Sequence, residues 1–334
     1  MRLRMTILAA ILLLLATTTG TRAQGSGVIE GQVLNASLAS EPVGGVRVTL
    51  WVFVADQAES SMETTADASG RFRFEGLQTE DRTYQLEVEY NGILHDSDVV
   101  AFPSGESSLS VPLSVYETTT SSAEISVERA HIIVGFDPGI IYVREVQVFF
   151  NAGNLSYVGP TGQEGEVTAD FPLPHGASDM KIGDGFMECC VVQTDTGLAS
   201  TYPLLPGATQ FVLSYSLSNE STTYDLVKEI AHPTTSLDVL VADVGVQVTG
   251  PGLTQAEPLS IQGNDYLHLG AANLTPGDEV VLHFTNLPTE AMPEPAASST
   301  TVPPVVTGSV LGVIGLGVFL ALVYPFLETS REEP

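Results

Sequence analysis

The sequence predicts an all-β protein: two tandem antiparallel β-sandwich domains followed by one C-terminal transmembrane helix. Three observations point there. Apolar and polar residues alternate with period two through much of residues 24–285, turn residues punctuate the runs at short intervals, and one long uncharged run lies near the C-terminus.

The two ends read differently. Residues 1–23 have the form of a signal peptide, with Arg2 and Arg4 ahead of an apolar run from Ile7 to Ala16 and small residues at Thr21-Arg22-Ala23 before Gln24. An uncleaved N-terminal anchor is the alternative, but the run is short for a span. Val305 to Leu327 is a 23-residue stretch without a charge, long enough at about 1.5 Å per residue to cross a hydrocarbon core of about 30 Å. The tail 328–334 carries one Arg against three Glu, so orientation rests on the signal peptide rather than on flanking charge. The expected topology is a single pass through the plasma membrane with the N-terminal domains extracytoplasmic. Leu287-Pro288-Thr289-Glu290 differs from a sortase signal at its fourth residue and lacks a basic cluster after it. Residues 286–304, rich in Pro, Ala, Ser and Thr, read as a stalk; at about 3.1 Å per residue in polyproline geometry it spans several tens of Å.

Between the ends the surface is strongly acidic. Residues 24–304 hold 37 Asp and Glu against 8 Lys and Arg, and the whole chain has a formal net charge of −28. Such a surface repels phosphate backbones and anionic lipid, so nucleic acid is not an expected partner. It favours solubility, divalent cations or a basic partner.

The first domain is assigned to 24–116. Within it, Tyr84, Leu86, Val88 and Tyr90 fall on one strand face, and Arg71-Phe72-Arg73-Phe74 alternates in the same way. Glu41-Pro42 with Gly44-Gly45, Asp67-Ala68-Ser69-Gly70, Asn91-Gly92 and Pro103-Ser104-Gly105 supply the turns. About seven short strands without a helical run argue for an antiparallel sandwich. Residues 117–124 form a polar, β-branched connector and are read as a linker. A second all-β sandwich is assigned to 125–285, with strands expected at 123–134, 140–150, 166–173, 187–193, 210–217, 222–229, 236–248, 259–261, 266–269 and 279–284.

The first domain also resembles a known family. Gly31-Gln32-Val33, Pro42 with Gly45-Val46-Arg47-Val48-Thr49-Leu50, the segment Thr65 to Leu77 with its Asp67-x-x-Gly70-x-Phe72-x-Phe74 core, and Tyr84-Gln85-Leu86-Glu87-Val88 are similar to the carboxypeptidase regulatory-like domain over residues 27–116. The resemblance implies a seven-stranded, transthyretin-like sandwich grouped with carbohydrate-binding-like folds. It does not imply peptidase activity, because these domains accompany catalytic domains or stand alone. Residues beyond 116 match no characterised family.

Candidate chemistry is sparse. His-Glu-x-x-His, Gly-x-Ser-x-Gly, phosphate loops and Cys/His clusters are all missing from the sequence, and the six His are scattered. No catalytic residue, cofactor or metal site is therefore assigned, although a Ser/His/Asp site assembled in space would escape a sequence search. Cys189-Cys190 is the one cysteine pair, and three readings stay open: two buried thiols, a vicinal disulfide or a bridge to another chain, and a soft-metal site with Met180, Met187 or His175. In the run 46–54, alternation sends Val46, Val48, Leu50, Val52 and Val54 to one face and Arg47, Thr49, Trp51 and Phe53 to the other. Trp51 and Phe53 would then form a stacking platform for a sugar ring, unless a loop or the second domain covers them. Asp67 with Gly70, and Asp96 with Asp98, offer oxygen ligands but no calcium-loop spacing. In the apolar run, Gly308, Gly312 and Gly315 share one helical stripe suited to helix packing, as self-association or docking on a membrane protein. Glycine is also simply common in such helices.

The expected function is thus a non-enzymatic, membrane-anchored extracytoplasmic binding or structural protein, with a carbohydrate as the leading ligand of the first domain. The alternative is an accessory subunit of an envelope or membrane protein complex, docking through its ectodomain and Gly-rich helix.

Overall fold

The computed structural model describes residues 27–162 and 165–289. Strands account for nearly all its regular structure; the exceptions are two single-turn 3-10 helices, Ala36–Leu38 and Glu188–Cys190. No helix among the described residues is long and apolar enough to cross a membrane. The signal peptide at 1–23, the apolar run at 305–327 with Gly308, Gly312 and Gly315, the tail at 328–334 and all of the stalk beyond 289 lie outside the described residues.

The chain divides between Tyr116 and Glu117 into two compact units. In the first, Gly27–Asn35 is the centre of a five-stranded sheet; it pairs with Glu41–Pro42, Arg71–Leu77, Ser108–Ser110 and Leu113–Val115. A second sheet runs Gln57–Thr65, Arg47–Val54, Thr83–Tyr90, Ile93–Asp96. One apolar core joins Ile29, Val33, Phe72 and Phe74 of the first sheet to Val48, Leu50, Leu86 and Val88 of the second. This is a β-sandwich, and its inward residues are those the period-two pattern selects. Asn91-Gly92 turns the last hairpin, with φ of 52° and 76°, values that Asn and Gly tolerate best. Gly31 sits where an added Cβ would come within 2.0 Å of the Val111 carbonyl oxygen and 2.5 Å of the Phe72 ring. Its missing side chain lets the strands and the ring close together.

The second unit is built on one long sheet in the order Ser178–Ile182, Gly207–Ser218, Ile140–Asn151, Ile125–Asp137, Thr234–Ala242, Asn264–Leu274, Thr254–Gln255, with Leu259–Ile261 also on Asn264–Leu274. Two three-stranded sheets accompany it, Ala169–Pro172 with Gly197–Ser200 and Val191–Gln193, and Thr223–Glu229 with Glu279–Thr285 and Gln247–Thr249. Their apolar faces share a core with one face of the long sheet. Phe149, Phe171, Phe186 and Phe211 form its centre, with ring centroids 5.0–5.7 Å apart in tilted and edge-on pairs. Ile133, Leu240 and Tyr266 make a small separate cluster.

Several expectations need correction. The sheets are mixed rather than purely antiparallel: Gly27–Asn35 runs parallel to Ser108–Ser110 and Leu113–Val115, and Ile125–Asp137 parallel to Thr234–Ala242. Turn residues report only partners joined by short hairpins, whereas parallel partners meet after long excursions. The segment read as a linker at 117–124 instead takes part in the second unit, where Thr118–Thr119 pairs with Ser156–Tyr157. The single strand expected at 236–248 is two, because the chain leaves the long sheet after Ala242 and joins the Glu279–Thr285 sheet as Gln247–Thr249. Gly245, at φ 89°, lies in that crossing. The strand expected at 187–193 begins only at Val191, since Glu188–Cys190 is a 3-10 turn.

Candidate functional site

The strand Arg47–Val54 lies between Gln57–Thr65 and Thr83–Tyr90, and its side chains divide cleanly. Val48, Leu50 and Val52 are buried in the core, while Thr49, Trp51 and Phe53 are half-buried on the opposite face. Register then lays that outer face out in rows. Trp51 stands between Ser61 and Gln85, Phe53 between Ala58 and Thr83, and Thr49 between Glu63 and Glu87, with Asp96 next to Glu87. Two aromatic residues whose backbone positions lie about 7 Å apart along one strand thus adjoin a row of three carboxylates. Gln85 donates to the Ser97 carbonyl at 3.2 Å. Arg82, mostly covered, holds Glu59 at 3.0 Å. Burial, then the Glu87 charge opposite, pushes the Asp96 pKa up. The face is able to stack a flat apolar surface and to accept hydrogen bonds beside it.

The other sequence-predicted positions come out differently. Cys189 and Cys190 are bonded to each other in the 3-10 turn, Cys189 exposed and Cys190 half-buried. The reading as buried thiols is therefore corrected: at three residues per turn, neighbouring side chains stand about 120° apart, whereas a strand sends them to opposite faces. Among the described residues, no three His, Cys, Asp or Glu side chains gather to hold a metal ion. Asp67 Oδ1 instead accepts from the Ser69 N–H at 2.8 Å, the Ser69 hydroxyl at 2.7 Å and the Arg71 N–H at 3.0 Å. Those hydrogen bonds, the Ser69 hydroxyl foremost, hold its pKa below the usual carboxylate value. Its role is to fix the turn.

Sequence reasoning missed the charged pair in the second unit. Lys228 Nζ lies 2.8 Å from Glu145 Oε2, with side chains 5% and 1% exposed. The Lys228 ammonium also donates to the Pro172 carbonyl at 2.6 Å. Tyr215 O–H donates to Glu145 Oε1 at 2.9 Å, and Gln147 Nε2 to Oε2 at 2.9 Å. The signal was present: Leu226, Lys228 and Ile230 share one parity, as do Val143, Glu145 and Phe149, so a charge stood in each apolar stripe. Close by, the largely buried His232 accepts from the Asp170 N–H at 3.0 Å, and its burial lowers its pKa to about 4.

Residues 28–115 match the carboxypeptidase regulatory-like domain. This bears out the family resemblance that the sequence motifs carry. None of the curated proteins matches the chain. Among solved structures, the major plantain pollen allergen Pla l 1 is 19% identical at a TM-score of 0.23, covering 28% of this chain and 94% of that one. A proposed carbohydrate-binding protein from Pseudomonas aeruginosa is 18% identical at a TM-score of 0.20, covering 29% and 92%. A zinc metallopeptidase mutant from Deinococcus radiodurans is 12% identical at a TM-score of 0.32, covering 50% of this chain and 44% of that one. At such TM-scores these likenesses carry no argument about ligand or activity.

Two measurements check the geometry. Leu50→Ala should cost about 2–5 kcal/mol in denaturant unfolding, whereas Trp51→Ala should cost under about 1 kcal/mol; equal costs would place Trp51 in the core. His232 is pushed from 6.5 to about 4 in the fold, so the unfolded chain takes up its proton first as pH falls. The stability present above pH 6.5 is then lost toward pH 4, by about 3 kcal/mol for this residue. His232→Gln should flatten the unfolding midpoint against pH over that window relative to the unmutated chain, and parallel curves would refute the assignment.

Proposed function

We propose that this chain is a non-enzymatic binding protein, anchored outside a membrane by the apolar run 305–327, whose regulatory-like domain offers the Trp51–Phe53 face to carbohydrate. The observation that carries the ligand reading is the placement of both rings on the outward side of a sheet whose other side is the core. A pyranose presents an apolar C–H face edged by hydroxyls. The rings match the first, and Ser61, Gln85, Glu63 and Glu87 beside them match the second. The carboxylate row favours neutral or amino sugars over uronic acids and sulfated glycans, which it repels. The anchor reading rests on the length and composition of 305–327. The two β units are read as tandem sandwiches carried outward on the 286–304 stalk.

Trp51 is the sole tryptophan, so its fluorescence reports this face alone. Titration with neutral and amino oligosaccharides should change that emission saturably, and Phe53→Ala should weaken binding by at least about tenfold, the worth of roughly 1.4 kcal/mol. An emission unmoved by every sugar tried would remove the carbohydrate reading. For the anchor, the full chain should stay with membranes through alkaline extraction and a chain ending at Pro304 should not; full-length protein found in the soluble fraction would remove it.

A further inference from the structure

The buried pair in the second unit holds everything needed for a covalent bond. We propose that Lys228 and Glu145 condense to an intramolecular amide that ties the long sheet to the Thr223–Glu229 sheet. Among the described residues, no hydrogen-bonded strand pairing joins these two sheets, so the cross-link would add a tie that packing alone does not supply.

Geometry is the first support. Nζ rests 2.8 Å from Oε2, and three further contacts fix both groups: Pro172 carbonyl on the amine, Tyr215 O–H on Oε1 and Gln147 Nε2 on Oε2. Held partners react as one molecule, which removes the entropic cost of bringing them together. Burial is the second. An ion pair taken out of water suffers a desolvation penalty that its own attraction only partly offsets, and condensation abolishes both charges at once. In bulk solvent, water drives the amide back to acid and amine; side chains 5% and 1% exposed meet little of it.

The step balances without a further reagent. An ammonium and a carboxylate together contain the atoms of one amide and one water. Nζ yields a proton to Oε2, its freed lone pair attacks Glu145 Cδ, and Oε1 carries the negative charge of the tetrahedral adduct. Nζ then releases its second proton to Oε2, and the Cδ–Oε2 bond breaks to expel water. Oε1 remains as the amide oxygen. Tyr215 O–H already points at Oε1, the atom where charge develops. Burial first, then the Glu145 charge, raises the Tyr215 pKa and keeps that proton in place. A cavity of about 20 Å³, lined by Lys228, Glu145, Gln147 and His232, has room for about one expelled water.

The composition makes the test sharp, because Lys181 and Lys228 are the only lysines. The full chain, purified, denatured, reduced to open the Cys189–Cys190 bond and with its termini mapped, should be lighter by the mass of one water than its sequence requires. Amine acylation under those conditions should mark exposed Lys181 and spare Lys228. Trypsin should fail to cut after Lys228 and should leave a branched peptide joining the segments that contain Glu145 and Lys228. Lys228→Arg should restore the full mass. An unmodified chain of full mass, with Lys228 acylated as fully as Lys181, would overturn the proposal and leave an ion pair alone. A mass deficit that persists in Lys228→Arg would likewise overturn it, since the missing water would come from elsewhere.

Discussion

A strand turns successive side chains to opposite faces, and a sheet with one buried face therefore fixes the destination of every residue along it. In the first unit this constraint produces both the core and the candidate site. Val48, Leu50 and Val52 go inward because they are apolar and in phase with Leu86 and Val88 on the neighbouring strand. Trp51 and Phe53, out of phase by one, are carried to the other face whatever their hydrophobicity. Both stay half-buried there, outside the cluster that forms the sandwich core. The same phase sets the row of Glu63, Thr49, Glu87 and Asp96 beside them, so platform and hydrogen-bonding edge follow from one register.

In the second unit the same constraint buries charge. Lys228 occupies an inward position between Leu226 and Ile230, and Glu145 occupies one between Val143 and Phe149. Each alone would be costly to desolvate; opposed across the gap between two sheets, each offsets part of the other's loss of water. Tyr215, Gln147 and the Pro172 carbonyl satisfy the remaining polar capacity. The result is a polar tie inside an otherwise aromatic and aliphatic core. A chain with a formal charge of −28 and two lysines commits one of those lysines there. Cation supply at the surface is correspondingly thin, so the exterior stays acidic.

Fold class was legible because alternation and turn chemistry are local. The Asn91-Gly92 hairpin and the faces of 47–54 and 83–90 could be read directly. So could the regulatory-like motif, since its Asp67 turn is built from the residues it names: the carboxylate closes on Ser69 and Arg71. For two of the misread segments a distant partner was responsible. Gln247–Thr249 leaves the long sheet because Glu279–Thr285 offers it a free edge, and Thr118–Thr119 is a strand only because Ser156–Tyr157 lies beside it. The cysteine pair was misplaced because a short turn was mistaken for the start of the strand that follows it.

By itself, then, the sequence determined that the chain is built of strands, which face of the 47–54 and 83–90 strands is apolar, and which face Trp51 and Phe53 take. These depend on a two-residue period that any window of the chain displays. Only the tertiary structure decided the parallel pairings, the division of strands among sheets, and the meeting of Lys228 with Glu145. Those depend on which faces are brought together across 82 residues of intervening sequence, and close packing of two sheets, unlike alternation along one strand, leaves no local signature.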